Sequence, residues 1–281
     1  MTYLNNQINL FKKSFKLDKK RFSLVVIFDL ALILVSYIAL QLWSNWVSNA
    51  VLKISGVDLT TISEEAFGEI MKELAVLKSF YYGTLIYSIL LIIFLFFVWS
   101  FFQGQIWSTI LKKKFNSDYF KKFLLLNLAC IPLFIILYFL AAICLGFFDL
   151  LLLFFSTAGL NTSFIMFILF ILFSFIFLPI LLYIINCIPI IYIYFTKKNK
   201  ILDSFKNTFD VAVKKIHLLY IPYLIISLVF VLLSIITVLF NILPVWLTSL
   251  ISFVLLVIYA AWARFYIADV IAELERIHHK I

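Results

Sequence analysis

The sequence predicts an all-α, polytopic membrane protein, and three observations predict it. The chain has 281 residues, of which 65% are hydrophobic, 19% aromatic and only 13% charged, far more apolar surface than one water-facing globule can bury. Its apolar runs reach the roughly 20 residues that a helix needs to cross a bilayer. Its Lys and Arg residues alternate between successive connections, as the positive-inside rule requires. Helices are the expected spanning elements, because lipid offers no hydrogen-bond partner to an open backbone. No polar stretch is large enough for a second domain, so residues 1–281 read as a single membrane domain.

Six spans are expected, at about residues 22–47, 80–102, 123–148, 164–195, 216–240 and 245–267. The 21 residues before the first are hydrophilic, and the run after them lacks a small-x-small cleavage site, so the first span is expected to be retained. Between the first two spans, Thr61 and Glu64 have capping-box spacing, and Ile62, Ala66, Ile70, Leu74 and Leu77 continue as one stripe. A surface helix is expected there, with Glu64, Glu65, Glu69 and Glu73 on its solvated face. Asn116, Ser117 and Asp118 can cap the third helix, which Pro132 is expected to interrupt. The stretch from Asp149 to Asn161 is too short to cross twice and reads as an interfacial turn. Pro179 and Pro189 mark kinks in the fourth run, Asn241 to Pro244 form a tight turn, and the tail after Ile267 is polar.

Of the 23 Lys and Arg residues, 20 fall on the side that carries the termini, so both termini are expected in the cytoplasm and the chain in the cell membrane. Three basic amphipathic segments stand out on that side. In the first, Leu4, Ile8, Phe11 and Phe15 oppose Lys12, Lys13 and Lys16; in the second, Trp107, Ile110, Leu111 and Phe115 oppose Lys112 and Lys113. The third runs from Ile201 without a break into the fifth span. Its stripe is Ile201, Phe205, Phe209, Ala212 and Ile216, with Asp203, Lys206, Asp210 and Lys214 opposite and Lys215 following. The six spans therefore read as three helical hairpins, each preceded by a basic amphipathic cytoplasmic helix.

The run Ser204, Phe205, Thr208 and Phe209, followed by Lys214-Lys215 and a proline-containing span, resembles a broad prokaryotic group of six-span membrane proteins, many of them uncharacterised. That group includes the membrane domain attached to some glycerophosphodiester phosphodiesterases. The resemblance implies a helical membrane domain and carries no active site, since no phosphodiesterase domain is present in this sequence.

Catalytic patterns are few. There is no HExxH, GxSxG or Walker loop and no Asp cluster suited to metal-dependent phospho-alcohol transfer, so neither an enzyme nor a cofactor is expected. Adjacent His278 and His279 are poorly placed to chelate, and His217 reads as an interfacial residue. Cys130, Cys144 and Cys187 lie in apolar runs without metal spacing and read as packing residues. Asp29 is the one acidic residue well inside a span. An ionised group there costs on the order of 3 kcal/mol, so it calls for a partner, and Arg264 is the expected one, in an intramembrane ion pair.

The function expected is non-enzymatic: the basic segments, through Lys12, Lys13, Lys16, Lys112, Lys113, Lys206, Lys214 and Lys215, organise anionic membrane lipid or a membrane protein partner. The plainer alternative is that these lysines only set topology. A small transporter or channel is the competing function, with Asp29 in the pathway alongside Asn127 and Asn186. No nucleic acid is expected as a partner.

Overall fold

The computed structural model describes residues 2–16, 18–55, 67–157, 187–212, 214, 216–240 and 244–278. Every regular element among them is helical: α1 (Thr2–Ser14), α2 (Lys19–Ser55), α3 (Phe67–Ile110), α4 (Ser117–Thr157), α5 (residues 187–198), α6 (Ile201–Ala212), α7 (Ile216–Leu239) and α8 (Val245–His278). Among the described residues, five stretches are long and apolar enough to cross a membrane: Lys19–Asn49, Lys78–Ile110, Ser117–Ile136, His217–Leu239 and Val245–Arg276. Of the expected fourth span only residues 187–195 are described; the remainder, with Pro179 and Asn186, lies outside the described residues.

Several helices run further than polarity alone suggests. Residues 67–77, expected as part of a surface helix, continue directly into the second span, so α3 is 44 residues long, about 66 Å at helical rise. α4 passes through Pro132 unbroken and carries on through Asp149 to Thr157. A proline removes one backbone donor and bends a helix, but in a membrane span neighbouring groups satisfy the freed carbonyl, so the helix continues past it. The polar tail is also helix. Ile267, Val270, Ile271 and Leu274 recur at helical spacing and are buried, so α8 continues three turns past the expected end of the sixth span.

The second basic segment is not a helix of its own. Trp107 and Ile110 belong to the last turn of α3, and the chain then turns at Leu111 and Lys112. That turn is a Schellman motif: the Lys113 N–H donates to Ser108 O (2.8 Å) and the Lys112 N–H to Thr109 O (3.4 Å), with Lys112 left-handed at φ 56°. The third segment does break before the fifth span, since α6 ends at Ala212, Lys214 lies in a turn and α7 starts at Ile216. Asn116 caps α4 as its position suggests, its Oδ1 accepting from the Tyr119 N–H at 2.8 Å. Asp18 caps α2 in the same way through the Lys20 N–H (3.1 Å).

The chain divides into two compact units, Ile27–Gln103 and Met1–Val26 together with Gly104–Ile281. In the smaller unit α2 and α3 meet through Trp43, whose indole N–H donates to Ser88 Oγ (3.2 Å), and through Trp46 against Tyr87 (4.4 Å between centroids). Most of its large apolar side chains face outward, as a lipid-solvated surface requires.

In the larger unit the packing is concentrated near the basic connections. The inner part of α5, Ile190 to Thr196, is buried on every side, with no residue more than 4% exposed. Around it Trp107, Tyr119, Phe123, Tyr192 and Phe195 form one aromatic cluster, with Phe123 5.0 Å from Tyr192 and Tyr119 5.6 Å from Phe195. Burying a phenol requires a partner for its hydroxyl. Tyr192 donates to Asn127 Oδ1 (2.6 Å), and Tyr119 shares a hydrogen bond with Thr196 Oγ1 (2.8 Å). Lys197 then ties the end of α5 to α8 through Glu275 at 2.6 Å.

Candidate functional site

α8 carries an aromatic column, and α1 docks on it. Trp262 stacks on Tyr266 (5.5 Å, 5°) and on Phe15 (5.8 Å, 20°), meets the edge of Phe11 (6.1 Å, 89°), and donates its indole N–H to Ser14 Oγ at 3.1 Å. Ser14 is fully buried, and its own O–H donates to Phe11 O (2.6 Å). The inward face of α1 is thus Gln7, Phe11 and Ser14, while Ile8, Lys12, Lys13, Phe15 and Lys16 remain exposed.

Docking α1 there closes one wall of a cleft of about 640 Å³. Its cations are Lys13, Lys16, Arg21, Lys112 and Arg276; its carboxylates are Asp18 and Asp269. The floor is apolar, from Ile110, Leu111, Phe265, Ala268 and Ala272. Phe265, Ala268, Asp269, Ala272 and Arg276 share one face of α8 by their spacing of three or four residues. Arg21 fixes the entrance of α2 against the end of α3: its Nε–H donates to Asp18 Oδ2 (2.8 Å) and a second guanidinium N–H to Ile110 O (3.3 Å). That Arg21 hydrogen bond holds the exposed Asp18 carboxyl below the usual carboxylate range. Arg276 meets Glu273 only at 3.5 Å and is exposed. Lys13, Lys16 and Lys112 have no ion pair among the described residues.

α6 presents a different surface. Its buried face is small, made of Ser204, Thr208, Val211 and Ala212, and the helix packs on α7. The two hydroxyls turn back onto the helix, to Lys200 O and Ser204 O, and present no unpaired polar group to the packing. Leu202 and Phe209 are outward, 83% and 58% exposed, one seven residues from the other with exposed Lys206 between them. The apolar stripe expected from the sequence is therefore divided: Ala212 is buried, Ile201 and Phe205 are half-buried, and Phe209 points out.

Of the lysines singled out by sequence, Lys13, Lys16 and Lys112 line the cleft, Lys12, Lys113 and Lys206 are exposed, and Lys214 pairs with Asp210 at 2.6 Å. Lys215 lies outside the described residues. Arg21 and Arg276 were missed, because each reads in sequence as a topology charge beside a span. Asp29 is buried on α2 and Arg264 half-buried on α8; both are engaged in interactions, and the two belong to different units. Asn127 accepts from Tyr192, while Asn186 and His279 lie outside the described residues. No group of three or more metal-ligating side chains occurs among the described residues. No protein-family model matches this chain, and no curated protein or solved structure matches it either.

Proposed function

We propose that this chain is a non-enzymatic integral protein of the cell membrane, with both termini in the cytoplasm and six spans paired as three hairpins, that organises anionic lipid or a membrane partner through its basic cytoplasmic segments. The observation that supports this best is the outward face of α6, where Leu202 and Phe209 flank Lys206. A helix buried through small residues and exposed through large apolar ones gains little in water. Laid in a membrane interface it buries those side chains, each worth about 1.5–3 kcal/mol on full burial, and Lys206 adds roughly 1 kcal/mol beside anionic headgroups. The test is lipid enrichment around the purified protein. Replacing Lys206, Lys214 and Lys215 together with Gln should deplete co-purifying anionic lipid without inverting topology, since Lys197, Lys198 and Lys200 remain. Equal anionic-lipid content in the two proteins would reduce these lysines to topology signals. The burial of Asp29 favours a second reading, a small transporter with Asp29 in its pathway. Under that reading Asp29→Asn abolishes a measured flux in vesicles while leaving thermal stability unchanged.

A further inference from the structure

We infer that the cleft between α1, the start of α2, the turn after α3 and the last three turns of α8 is a discrete binding site for one lipid phosphate group per chain. This deepens the lipid reading above and rests on it, but concerns a stoichiometric site instead of a diffuse surface. Three features of the cleft point to a phosphate. Its five cations outnumber its two carboxylates: Lys13 shares Asp269 with Arg21 and Arg276, and Lys16 and Lys112 have no ion pair among the described residues. It combines compact ammonium groups with a guanidinium, Arg276, whose planar fork matches phosphate oxygens and whose own carboxylate contact is long at 3.5 Å. And it lies where membrane-crossing stretches end, as a site for a headgroup must: Arg21 is close to the start of one, Ile110 ends another and Arg276 ends a third. The apolar floor of Ile110, Phe265 and Ala268 continues from the cleft into those stretches, so a lipid seated there keeps its glycerol end against carbon and its phosphate among the cations. A volume of about 640 Å³ admits a phosphate with a headgroup substituent.

Lys112 supplies the variant that separates binding from folding. Its left-handed backbone, φ 56°, is the conformation that glycine adopts without penalty, so Lys112→Gly removes a cation while relieving the turn. The experiment uses the full chain in nanodiscs or mild detergent, with native mass spectrometry to count retained lipid and thermal unfolding to follow protection. Three probes are compared: an anionic phospholipid, a fatty acid whose charge is a carboxylate, and inorganic phosphate. The expected result is one phospholipid retained per chain and protection by phospholipid alone. Lys112→Gly and Arg276→Gln should each weaken its binding about tenfold, the loss of one charge-assisted hydrogen bond. Protection by inorganic phosphate at comparable concentration would overturn the lipid source in favour of a soluble phosphate. Protection by the fatty acid as strong as by phospholipid, or retention unchanged in Lys112→Gly and Arg276→Gln, would overturn the site. The lysine-to-Gln change on α6 and its turn leaves the cleft intact. If that change depletes bulk anionic lipid while the cleft variants retain wild-type stoichiometric lipid, the discrete site fails and the general lipid reading stands.

Discussion

The docking of α1 on α8 predicts a graded response to substitutions at Trp262 and Ser14. Trp262→Ala removes four ring contacts, to Phe11, Phe15, Tyr259 and Tyr266, and leaves a cavity at a side chain that is only 6% exposed. Such truncations cost about 3–5 kcal/mol, and the contacts to Phe11 and Phe15 are the ones that hold α1. If half of the loss falls on that docking, α1 opens more often by a factor of roughly 10 to 60, since each 1.4 kcal/mol is tenfold. Ser14→Ala removes the acceptor of the indole N–H and should cost about 1 kcal/mol, with roughly fivefold more opening. Trp262→Phe keeps most of the ring and lies between wild type and the alanine variant. Opening exposes the bonds after Lys12 and Lys13, so limited trypsinolysis in detergent, under conditions where reclosing outpaces cleavage, reads the ratio directly. The order Trp262→Ala, Trp262→Phe, wild type in cleavage rate is expected. If Trp262→Ala is cleaved at the wild-type rate while remaining folded, α1 is held by lipid or detergent and not by α8, and the account of the cleft wall is wrong.

Two further predictions follow from charged side chains. Asp18 has its carboxyl lowered from 3.8, first by the Arg21 hydrogen bond, so its contribution to the α2 cap is present above about pH 4 and is lost as pH falls through the lowered value; hydrogen exchange at the Lys20 amide should rise in acid, and Asp18→Asn should remove that pH dependence. Asp29→Asn and Arg264→Gln should each lower the melting temperature, with the double variant losing less than the sum if the expected ion pair exists; strict additivity would exclude direct coupling between the two residues.

The membrane-crossing helices were legible because their signal is composition, and a run such as Phe80 to Phe102 needs no tertiary context to be recognised. The cap at Asn116 and the presence of helices at α1 and α6 were legible for the same local reason. What failed was the reading of helix ends from polarity. Glu273, Glu275 and Arg276 make the last turns of α8 look like a solvated tail, but Val270, Ile271 and Leu274 are buried between them, and a three-residue apolar stripe is easily masked by its charged neighbours. The cleft was invisible for a different reason. Its lining comes from four places separated by up to 263 positions, from Lys13 to Arg276, and nothing local in the sequence brings them together. The inward face of α1 shows the same limit: the sequence points to Leu4, Ile8, Phe11 and Phe15, yet Ile8 and Phe15 remain largely exposed and buried Ser14 makes the key contact, because a tryptophan on another helix needs its oxygen.

Docking α1 on α8 brings Lys13 and Lys16 to a cleft that already holds Arg21, Lys112 and Arg276, so the aromatic contacts work against like-charge repulsion. Asp18 is committed to Arg21 and to the cap of α2, and Asp269 on α8 is shared among Lys13, Arg21 and Arg276, so two carboxylates offset only part of the five positive charges. An anion bound in the cleft removes the repulsion and is held by the docked form, since the undocked form lacks one wall and two of the cations. By linkage it must then stabilise docking in proportion to its occupancy, by RT ln(1 + [L]/Kd). Trypsin cleavage after Lys12 and Lys13 should accordingly slow about a hundredfold at phospholipid concentrations of about 100 times Kd, and Lys112→Gly, which lies outside α1, should blunt that protection. The same variant in the absence of lipid should be cleaved no faster than wild type, because removing one of the crowded charges favours the docked helix. A Lys112→Gly chain that is cleaved faster without lipid would show that Lys112 holds α1 in place by packing, and the electrostatic argument for the cleft would fall with it.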